Sequence, residues 1–279
     1  MKTLAGKTII ITGASAGVGL ATARLLATHQ AKLVLLARGQ EALNRVTEEL
    51  SALTDVCSHA LDVCDADAYQ AVLIDVAQRF GPIHGLINNA GYHQRGYFEQ
   101  VSAQDHVMMV DVNLAAPLNL IAQTLPYLKE AGEGAVVNVG SLAGRAPLEG
   151  GATYSATKAG LRAVTYALHD ELRAHNVMVG LVSPGPISTG FILDRIDEVD
   201  DIVFSQPMSS PEQVAYAILA VVKGERVEVS LPRVSGGITM LSYLFPRLRR
   251  WSRPLLMRLG RRHKQRYLKT ARSLSDQGD

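Results

Sequence analysis

Tyr154 and Lys158 lie four residues apart in a predicted helical segment, so their side chains share one face. A phenol with an ordinary pKa of about 10 is a poor acid or base at neutral pH. A nearby ammonium group favours the phenolate and lowers that pKa. The pair therefore predicts a proton-transfer site, although the same spacing in isolation is more often a half-buried tyrosine beside a solvated lysine.

Ser141 lies thirteen residues before Tyr154 and follows a predicted strand at 135–139. Open α/β sheets bind their ligands at the carboxyl ends of the strands. We therefore expect Ser141 to lie beside Tyr154. Its hydroxyl could bond a substrate carbonyl oxygen and stabilise the charge that develops there.

Three glycines, Gly13, Gly17 and Gly19, separate a β-branched strand at 8–12 from a helix at 20–27. Gly13 permits a tight turn, Gly17 lets the backbone approach a pyrophosphate, and Gly19 allows the helix to pack closely on the strand. Unpaired N–H groups at the start of the helix would face the anion. Many such turns need glycine for geometry alone, but the position directly after the first strand favours a phosphate site.

The elements that position these residues alternate along the chain. Predicted strands cover residues 8–12, 32–36, 57–61, 85–88, 135–139 and 178–182, and predicted helices cover 20–27, 41–53, 66–80, 113–128 and 154–174. Residues 186–210 are expected to form a loop with a helical insert. Apolar residues make up 47% of the chain, which suits a parallel sheet with both faces covered. The pattern predicts an α/β fold, a single-domain Rossmann-type doubly wound parallel sheet.

Several motifs together resemble those of a known family. Thr12–Gly19 matches the pattern TGxxxGxG, and Asn88–Gly91 matches NNAG. The remaining matches, in chain order, are Asn113, Ser141, Tyr154-x-x-x-Lys158 and Pro184-Gly185. Their order from residue 8 to about residue 190 is similar to that of the short-chain dehydrogenase/reductase (SDR) family.

The resemblance implies an oxidoreductase that transfers a hydride between a nicotinamide and a carbonyl or secondary alcohol. Tyr154 would protonate the carbonyl oxygen beside Ser141, and the charge of an oxidised nicotinamide would lower the tyrosine pKa further. Lys158 would bond the nicotinamide ribose, and Asn113 would hold a water that links the lysine to solvent. No metal is expected. The rival interpretation is a catalytically silent nucleotide-binding regulatory or scaffold protein.

The resemblance also implies which residues contact the cofactor. They are Gly13, Ser15, Gly17, Val18, Gly19, Arg38, Asp62, Val63, Asn89, Ala90, Gly91, Tyr154, Lys158, Pro184, Gly185, Ile187 and Thr189. Asn88 is expected to fasten the central strand. Asp62 could equally cap a strand end, and Thr189, which relatives use to bond the carboxamide, could equally cap a loop.

Arg38 decides the expected form of the cofactor. It follows the second strand, where an acid would bond the adenosine ribose hydroxyls and an arginine would bind a 2′-phosphate. We therefore expect NADP(H) rather than NAD(H). The Ser15-Ala16 pair departs from many NADP-using relatives, which carry a basic residue inside the glycine turn.

The charge divides the chain into a body, residues 1–232, and a basic amphipathic tail, residues 233–279. Residues 233–272 hold 12 Lys or Arg and no Asp or Glu, which leaves the remaining residues at −10. An apolar stripe runs through Leu241, Leu244, Leu248, Trp251, Leu255 and Leu259. Pro246 and Pro254 are expected to break the tail into short helices. Residues 238–269 could contact a membrane surface, or the stripe could dock on the body or on a second subunit. Nucleic acid is not expected as a partner.

The substrate side is predicted only in outline. Residues around Tyr92 and His93, and the segment after Thr189 with Phe191, Ile192 and Leu193, are expected to enclose it, with no role assigned to His93. Similarity between 154 and 189 to reductases of lipid-like ketones favours a 3-ketosphinganine, ketoacyl or steroid-like substrate. With two cysteines that are expected to stay unpaired and no secretory leader, we expect a cytoplasmic protein. The family implies a homodimer or homotetramer. A second rival interpretation is a protein that tethers membranes through its tail.

Overall fold

Seven parallel strands form the centre of the protein, and the aliphatic runs of the sequence account for most of them. The computed structural model describes residues 1–275, with side chains as far as Leu268. The strands are β1 Thr8–Thr12, β2 Lys32–Ala37, β3 Val56–Ala60, β4 Ile83–Asn88, β5 Gly134–Val139, β6 Val177–Pro184 and β7 Glu228–Leu231. Ile9, Ile10 and Ile11 of β1 are fully buried, as strands that are covered on both faces require.

The strand order is β3-β2-β1-β4-β5-β6-β7, with β1 paired to both β2 and β4. The chain therefore moves outward from β1 in one direction and then returns to build the other half beside it. In open α/β sheets ligands bind at this reversal, outside the carboxyl ends of the strands. The glycine turn after β1 and the NNAG segment after β4 meet there.

Helices cover both faces of the sheet. They are α1 Gly17–Thr28, α2 Gln40–Ser51, α3 Ala66–Phe80, α4 Ala103–Val110, α5 Ala116–Glu130, α6 Ala152–Leu172, α7 Gly190–Leu193, α8 Pro211–Val222, α9 Arg233–Leu244 and α10 Pro246–Ser275. Side chains of α1, α2 and α8 pack with Ile9 and Ile11 on one face. Side chains of α3 and α5 pack with Ile10 on the other. Alternation along β1 therefore divides the core into two layers.

The predicted α/β sheet is confirmed, and the structure adds elements that the sequence analysis did not identify. The helix α8 and the edge strand β7 were not predicted. All four residues of β7 are half-buried, so no aliphatic run marks it. The helix predicted at 113–128 is α5, and residues 113–115 belong to a π-helical turn, Asp111–Ala115, that joins α5 to α4, which was not predicted.

Glu228 fastens β7 to the helix that carries Tyr154 and Lys158. Its carboxylate accepts from Arg145 at 2.8 Å, Arg162 at 3.0 Å, Tyr166 at 2.6 Å and Ser183 at 2.9 Å. Burial alone would raise the pKa of Glu228, but these hydrogen bonds hold it to about 2. The carboxylate is therefore ionised at neutral pH and ties α6 to the edge of the sheet.

The tail docks on the body, which is one of the alternatives left open by its sequence. Arg253 pairs with Glu149 and with Asp200, and the Arg261 Nε donates to Asp201 Oδ2 at 2.9 Å. The described part of the tail consists of α9 and α10. Residues 276–279 lie outside the described residues. Among residues 1–275 no helix has the length and apolar character needed to cross a bilayer.

The prediction that Pro254 breaks the tail was wrong, whereas a break does occur at Pro246. Pro246 is the first residue of α10, a position where its missing N–H costs nothing. Pro254 lies inside α10, although an internal proline removes a helical hydrogen bond and crowds the preceding turn. The helix continues because tertiary contacts hold it on both sides. Arg253 is paired with acids, and Gly260 lies against the Asp201 carbonyl.

Candidate active site

A cavity of about 1250 Å³ opens at the carboxyl ends of β1, β4, β5 and β6. Ligand pockets usually measure about 300–1,000 Å³, so this one has room for more than one small molecule. Most of the predicted site residues line it: Gly13, Gly17, Val18, Asn89, Ala90, Gly91, Ser141, Tyr154, Lys158, Pro184, Gly185, Ile187 and Thr189. Six others do not: Ser15, Gly19, Arg38, Asp62, Val63 and Asn113.

At the glycine turn the backbone itself lines one end of the cavity, because Gly13 and Gly17 carry no side chain. Gly13 and Gly17 have φ angles of +65° and +53°, a region that favours glycine. A Cβ on Gly13 would come within 2.9 Å of the Asn89 amide nitrogen, and one on Gly17 within 3.2 Å of the Thr189 methyl carbon. Gly19 lies directly against the Gly13 carbonyl, so the helix packs closely on the turn.

The start of α1 fits a pyrophosphate. Its N-cap residue is Ala16, which offers no side-chain acceptor to the N–H groups of the first turn. Such groups bind an anion well, and the dipole of the helix adds to the attraction. The residues present therefore fit a dinucleotide that extends from this turn towards Tyr154 and Lys158.

Two asparagines of the NNAG segment hold the sheet together beneath the cavity. The Asn89 side chain donates to the carbonyls of Thr12 at 2.9 Å and Gly13 at 3.2 Å. The Asn88 side chain donates to Asn138 at 2.9 Å. Asn88 therefore joins β4 to β5, and Asn89 joins the end of β4 to the glycine turn.

Lys158 and Tyr154 lie together deep in the cavity. Lys158 is 5% exposed, and its Nζ donates to the Val139 carbonyl at 2.9 Å and lies 5.8 Å from the centre of the Tyr154 ring. Burial lowers the pKa of Lys158 to about 8. A buried ammonium is costly, and one backbone carbonyl only partly offsets that cost.

The pKa of Tyr154 departs from the sequence-based expectation. Burial raises it, and a hydrogen bond with the adjacent Ser141 hydroxyl only partly opposes that rise. The expected lowering by the lysine is therefore absent in the protein as the structure shows it. The physical reason is that desolvation disfavours both the phenolate and the ammonium, and the ammonium is turned to the Val139 carbonyl. The tyrosine is held in its protonated form.

Asn113 lies in the π-helical turn and is fully buried. Its Oδ1 accepts from the Tyr92 N–H at 2.8 Å, and its Nδ2 donates to the Tyr92 carbonyl at 2.7 Å. A Cβ on Gly91 would lie 3.3 Å from Asn113 Oδ1 and 3.9 Å from Lys158 Nζ. Asn113 thus lies next to the lysine, although outside the cavity lining. π-Helical turns often occur at functional sites.

Comparison with known proteins decides the family. The family model described as "short chain dehydrogenase" matches residues 7–198, more than half of the chain. The chain belongs to the short-chain dehydrogenase family. The tail lies outside this match.

The relatives of this short-chain dehydrogenase are reductases and dehydrogenases. It is 35% identical to the ketoacyl reductase HetN of Nostoc sp., over 82% of this chain and 79% of the relative. It is 30% identical to the 3-oxoacyl-[acyl-carrier-protein] reductase FabG of Thermotoga maritima, over 85% of this chain and 99% of the relative. It is 32% identical to an NADP-dependent 3-hydroxy acid dehydrogenase of Schizosaccharomyces pombe, over 82% of this chain and 92% of the relative.

Solved structures show the same architecture. A metagenomic short-chain oxidoreductase in complex with NADP shares 31% identity and has a TM-score of 0.69, covering 81% of this chain and 97% of that one. A short chain dehydrogenase from Mycobacterium paratuberculosis bound to NAD has a TM-score of 0.76 at 20% identity, over 84% and 99%. The second likeness shows the fold alone.

His93 lies in the stretch that was expected to enclose the substrate, although the sequence offered no reason to assign it a role. Its ring stacks on Tyr154 with centroids 4.1 Å apart and an interplanar angle of 13°. It is 8% exposed, it lines the cavity, and its Nε2 has no hydrogen-bond partner among the described residues. Burial lowers its pKa to about 3, so it is neutral. Its place two residues after NNAG was the one available signal.

Five predicted cofactor contacts lie outside the cavity lining, namely Ser15 and Gly19 of the glycine turn and Arg38, Asp62 and Val63. Arg38 is exposed directly after β2. Asp62 is also exposed, and its Oδ1 accepts from the Cys64 N–H at 3.0 Å, which is the strand-end role that its sequence left open. Val63 is buried in the core. Among the described residues, no group of three His, Cys, Asp or Glu side chains could hold a metal ion.

Two segments of the chain build the far end of the cavity, where apolar side chains lie beside the acids of residues 194–201. The segment after Thr189 supplies Phe191 and Ile192, whereas Leu193 and Tyr92 do not line the cavity. The other wall comes from the tail, which supplies Ile238, Leu241, Leu248, Leu256 and Met257. The tail is therefore part of the site.

Proposed function

We propose that this protein is an NADP(H)-dependent oxidoreductase acting on a carbonyl or secondary alcohol. One observation carries the proposal: Ser141, Tyr154 and Lys158 line the same cavity as the uncapped start of α1 and its glycine turn. A silent regulatory or scaffold protein has no need to hold all three in a cavity with room beside a dinucleotide. NADP(H), when bound, supplies or accepts the hydride.

The side chains provide the proton and the orientation. Burial keeps the Tyr154 phenol protonated, which is the state that donates to a carbonyl oxygen during reduction. The Ser141 hydroxyl, which also accepts from the Ala143 N–H at 3.1 Å, orients that oxygen. Lys158, whose Nζ donates to the Val139 carbonyl, would bond the cofactor ribose, and Asn113 would hold a water beside it.

The cofactor is NADP(H) rather than NAD(H). Arg38 is exposed after β2, and its guanidinium can bind a 2′-phosphate with two hydrogen bonds. The 31% identical structure contains NADP, and a 32% identical relative is NADP-dependent. The remaining cofactor contacts are those that the resemblance implies, including Ser15 in the glycine turn and Asp62 and Val63 near the adenine.

The substrate is a carbonyl or alcohol with a long apolar part, in the ketoacyl, 3-ketosphinganine or steroid-like class. Apolar side chains in the cavity lining support this choice, namely those of Phe191, Ile192, Leu241 and Leu248. Two relatives are named ketoacyl or 3-oxoacyl reductases. The cytoplasmic location, the homodimer or homotetramer and the division of the chain at residue 232 stay predictions.

The test compares wild type with Tyr154→Phe and, as a matched control, Tyr216→Phe, whose ring is 63% exposed on α8. NADPH and NADH binding is followed by nicotinamide fluorescence, and turnover by NADPH oxidation with a panel of apolar ketones. Tyr154→Phe should lose at least about 100-fold in kcat and keep its NADPH affinity, while Tyr216→Phe behaves as wild type. Retention of most of the rate in Tyr154→Phe would refute the mechanism.

A further inference from the structure

The tail presents two opposite faces, and one of them holds it to the body. Arg253, Gly260 and Lys264 lie on the face of α10 that meets the body, with Arg253 paired to Glu149 and Asp200 and with Lys264 Nζ donating to the Val199 carbonyl at 2.7 Å. The Gly260 backbone lies so close to the Asp201 carbonyl that a Cβ would overlap it. This face is therefore a fixed interface.

The other face of α10 carries large apolar side chains that no other described residue covers. Trp251 is 81% exposed and Leu255 is 69% exposed. These residues are two positions away from Arg253, which on an α-helix is about 200° of rotation. The part of the predicted apolar stripe formed by Trp251 and Leu255 therefore points away from the body, and exposed apolar side chains continue through Phe245 to Leu244 at the end of α9.

The exposed stripe reaches the mouth of the cavity. Ile238, Leu241 and Leu248 line the cavity, yet each is at least 45% exposed. One apolar surface thus runs from the outside of the tail into the space above Tyr154. Contiguous exposed apolar surface rimmed by polar residues commonly marks a site of interaction with a membrane, a protein or a ligand.

Arginines surround the stripe. Arg247, Arg250, Arg258 and Arg262 are exposed, and none of them forms an ion pair with another residue of the described chain. Arg247 is four residues before Trp251, and Arg258 is three after Leu255, so both flank the apolar side chains. Apolar and basic residues in this arrangement are typical of helices that lie in the interface of an anionic bilayer.

We propose that the exposed face of α9 and α10 binds the surface of an anionic lipid bilayer and turns the mouth of the cavity towards it. Resting on the proposed function, this makes the substrate a lipid-like carbonyl compound that passes from the bilayer into the cavity along Leu248, Leu241 and Ile238. A second copy of the chain fits this face less well. Two copies in a symmetric contact would bring two uncompensated clusters of arginines together.

The chain contains a single tryptophan, Trp251, which is an intrinsic probe of this surface. Wild-type protein is mixed with phosphatidylcholine vesicles, with and without phosphatidylglycerol, and binding is measured by co-sedimentation. With brominated lipid in the anionic vesicles, Trp251 fluorescence should shift to the blue and be quenched. Binding should weaken with added salt, since part of it is electrostatic.

The double variant Trp251→Glu, Leu255→Glu should lower binding to anionic vesicles at least about tenfold. The matched control is Leu53→Glu, Ile74→Glu, which changes two exposed apolar residues of the body and should bind as wild type does. Neither pair lines the cavity, so NADPH affinity should not change in either variant.

The position of the cavity mouth is tested by moving the probe. In a Trp251→Phe background, Leu248→Trp should be quenched by the brominated lipid, while Ile74→Trp should not. Equal vesicle binding by wild type and the double Glu variant overturns the proposal, as does an unquenched Leu248→Trp. A wild-type dimer that the double Glu variant converts to a monomer also overturns it, in favour of a second copy. None of these readouts uses turnover, so they stand apart from a failure of the proposed reaction.

Discussion

The lowered pKa of Lys158 makes the free energy of unfolding depend on pH. A Lys158→Met variant should lack this dependence. Burial holds this pKa to about 8, against an ordinary value of 10.5. At about 1.4 kcal/mol per pKa unit, the difference corresponds to about 3 kcal/mol. Below pH 8 both the folded and the unfolded chain carry the ammonium, so its burial destabilises the fold in full. Between pH 8 and 10.5 the unfolded chain binds more protons, so the stability of wild type rises with pH.

The assay is urea unfolding of wild type and Lys158→Met between about pH 7 and pH 10.5. The free energy of unfolding of wild type, relative to the variant, should rise by about 3 kcal/mol across this range. The lost hydrogen bond to the Val139 carbonyl adds an offset that does not depend on pH. The control Lys129→Met changes an exposed lysine, and its difference from wild type should stay constant. If the difference in unfolding free energy between wild type and Lys158→Met also stays constant with pH, the burial of the lysine is refuted.

Three further perturbations test the cofactor, the edge of the sheet and the tail. Arg38→Asp should shift the ratio of kcat/KM for NADPH and NADH towards NADH at least about tenfold, because an acid repels a 2′-phosphate. Glu228→Gln should lower the free energy of unfolding by about 3 kcal/mol at neutral pH. Since its pKa is about 2 rather than 4.5, wild type should lose that stability as the pH falls through this range. Gly260→Ala should loosen α10, seen as faster proteolysis within residues 246–268, because the new Cβ overlaps the Asp201 carbonyl.

Each of these has a matched comparison. An unchanged ratio of the two cofactor efficiencies would show that Arg38 does not meet the 2′-phosphate. Glu99 is exposed, so Glu99→Gln should leave stability unchanged, and an equal loss in both Glu variants would contradict the role of Glu228. Gly237 has open space around its Cβ position. Proteolysis that is as fast in Gly237→Ala as in Gly260→Ala would show that α10 is not held by its close approach to Asp201.

Local patterns predicted the sheet and much of the site. The run Thr8–Thr12 is apolar and β-branched, ends at a glycine turn, and is a buried strand because a short aliphatic run of this kind suits a sheet that is covered on both faces. The role of Gly13 and Gly17 in a tight turn could be predicted because it depends on a backbone conformation that favours glycine. Tyr154 and Lys158 share a helix face because four residues make about one turn. The strand β7 escaped prediction because it is short and half-buried, with a polar residue at every second position.

The sequence by itself determined which residues are available: the glycine turn, the tyrosine, lysine and serine, and a basic tail with an apolar stripe. Only the tertiary structure decided what surrounds them. Burial of Lys158 lowers its pKa and burial of Tyr154 raises it, and His93 comes to stack on Tyr154. The tail folds back so that one face of α10 docks on the body, while its exposed apolar stripe reaches the mouth of the cavity. These properties depend on which distant segments meet, and desolvation and close packing arise only from that meeting.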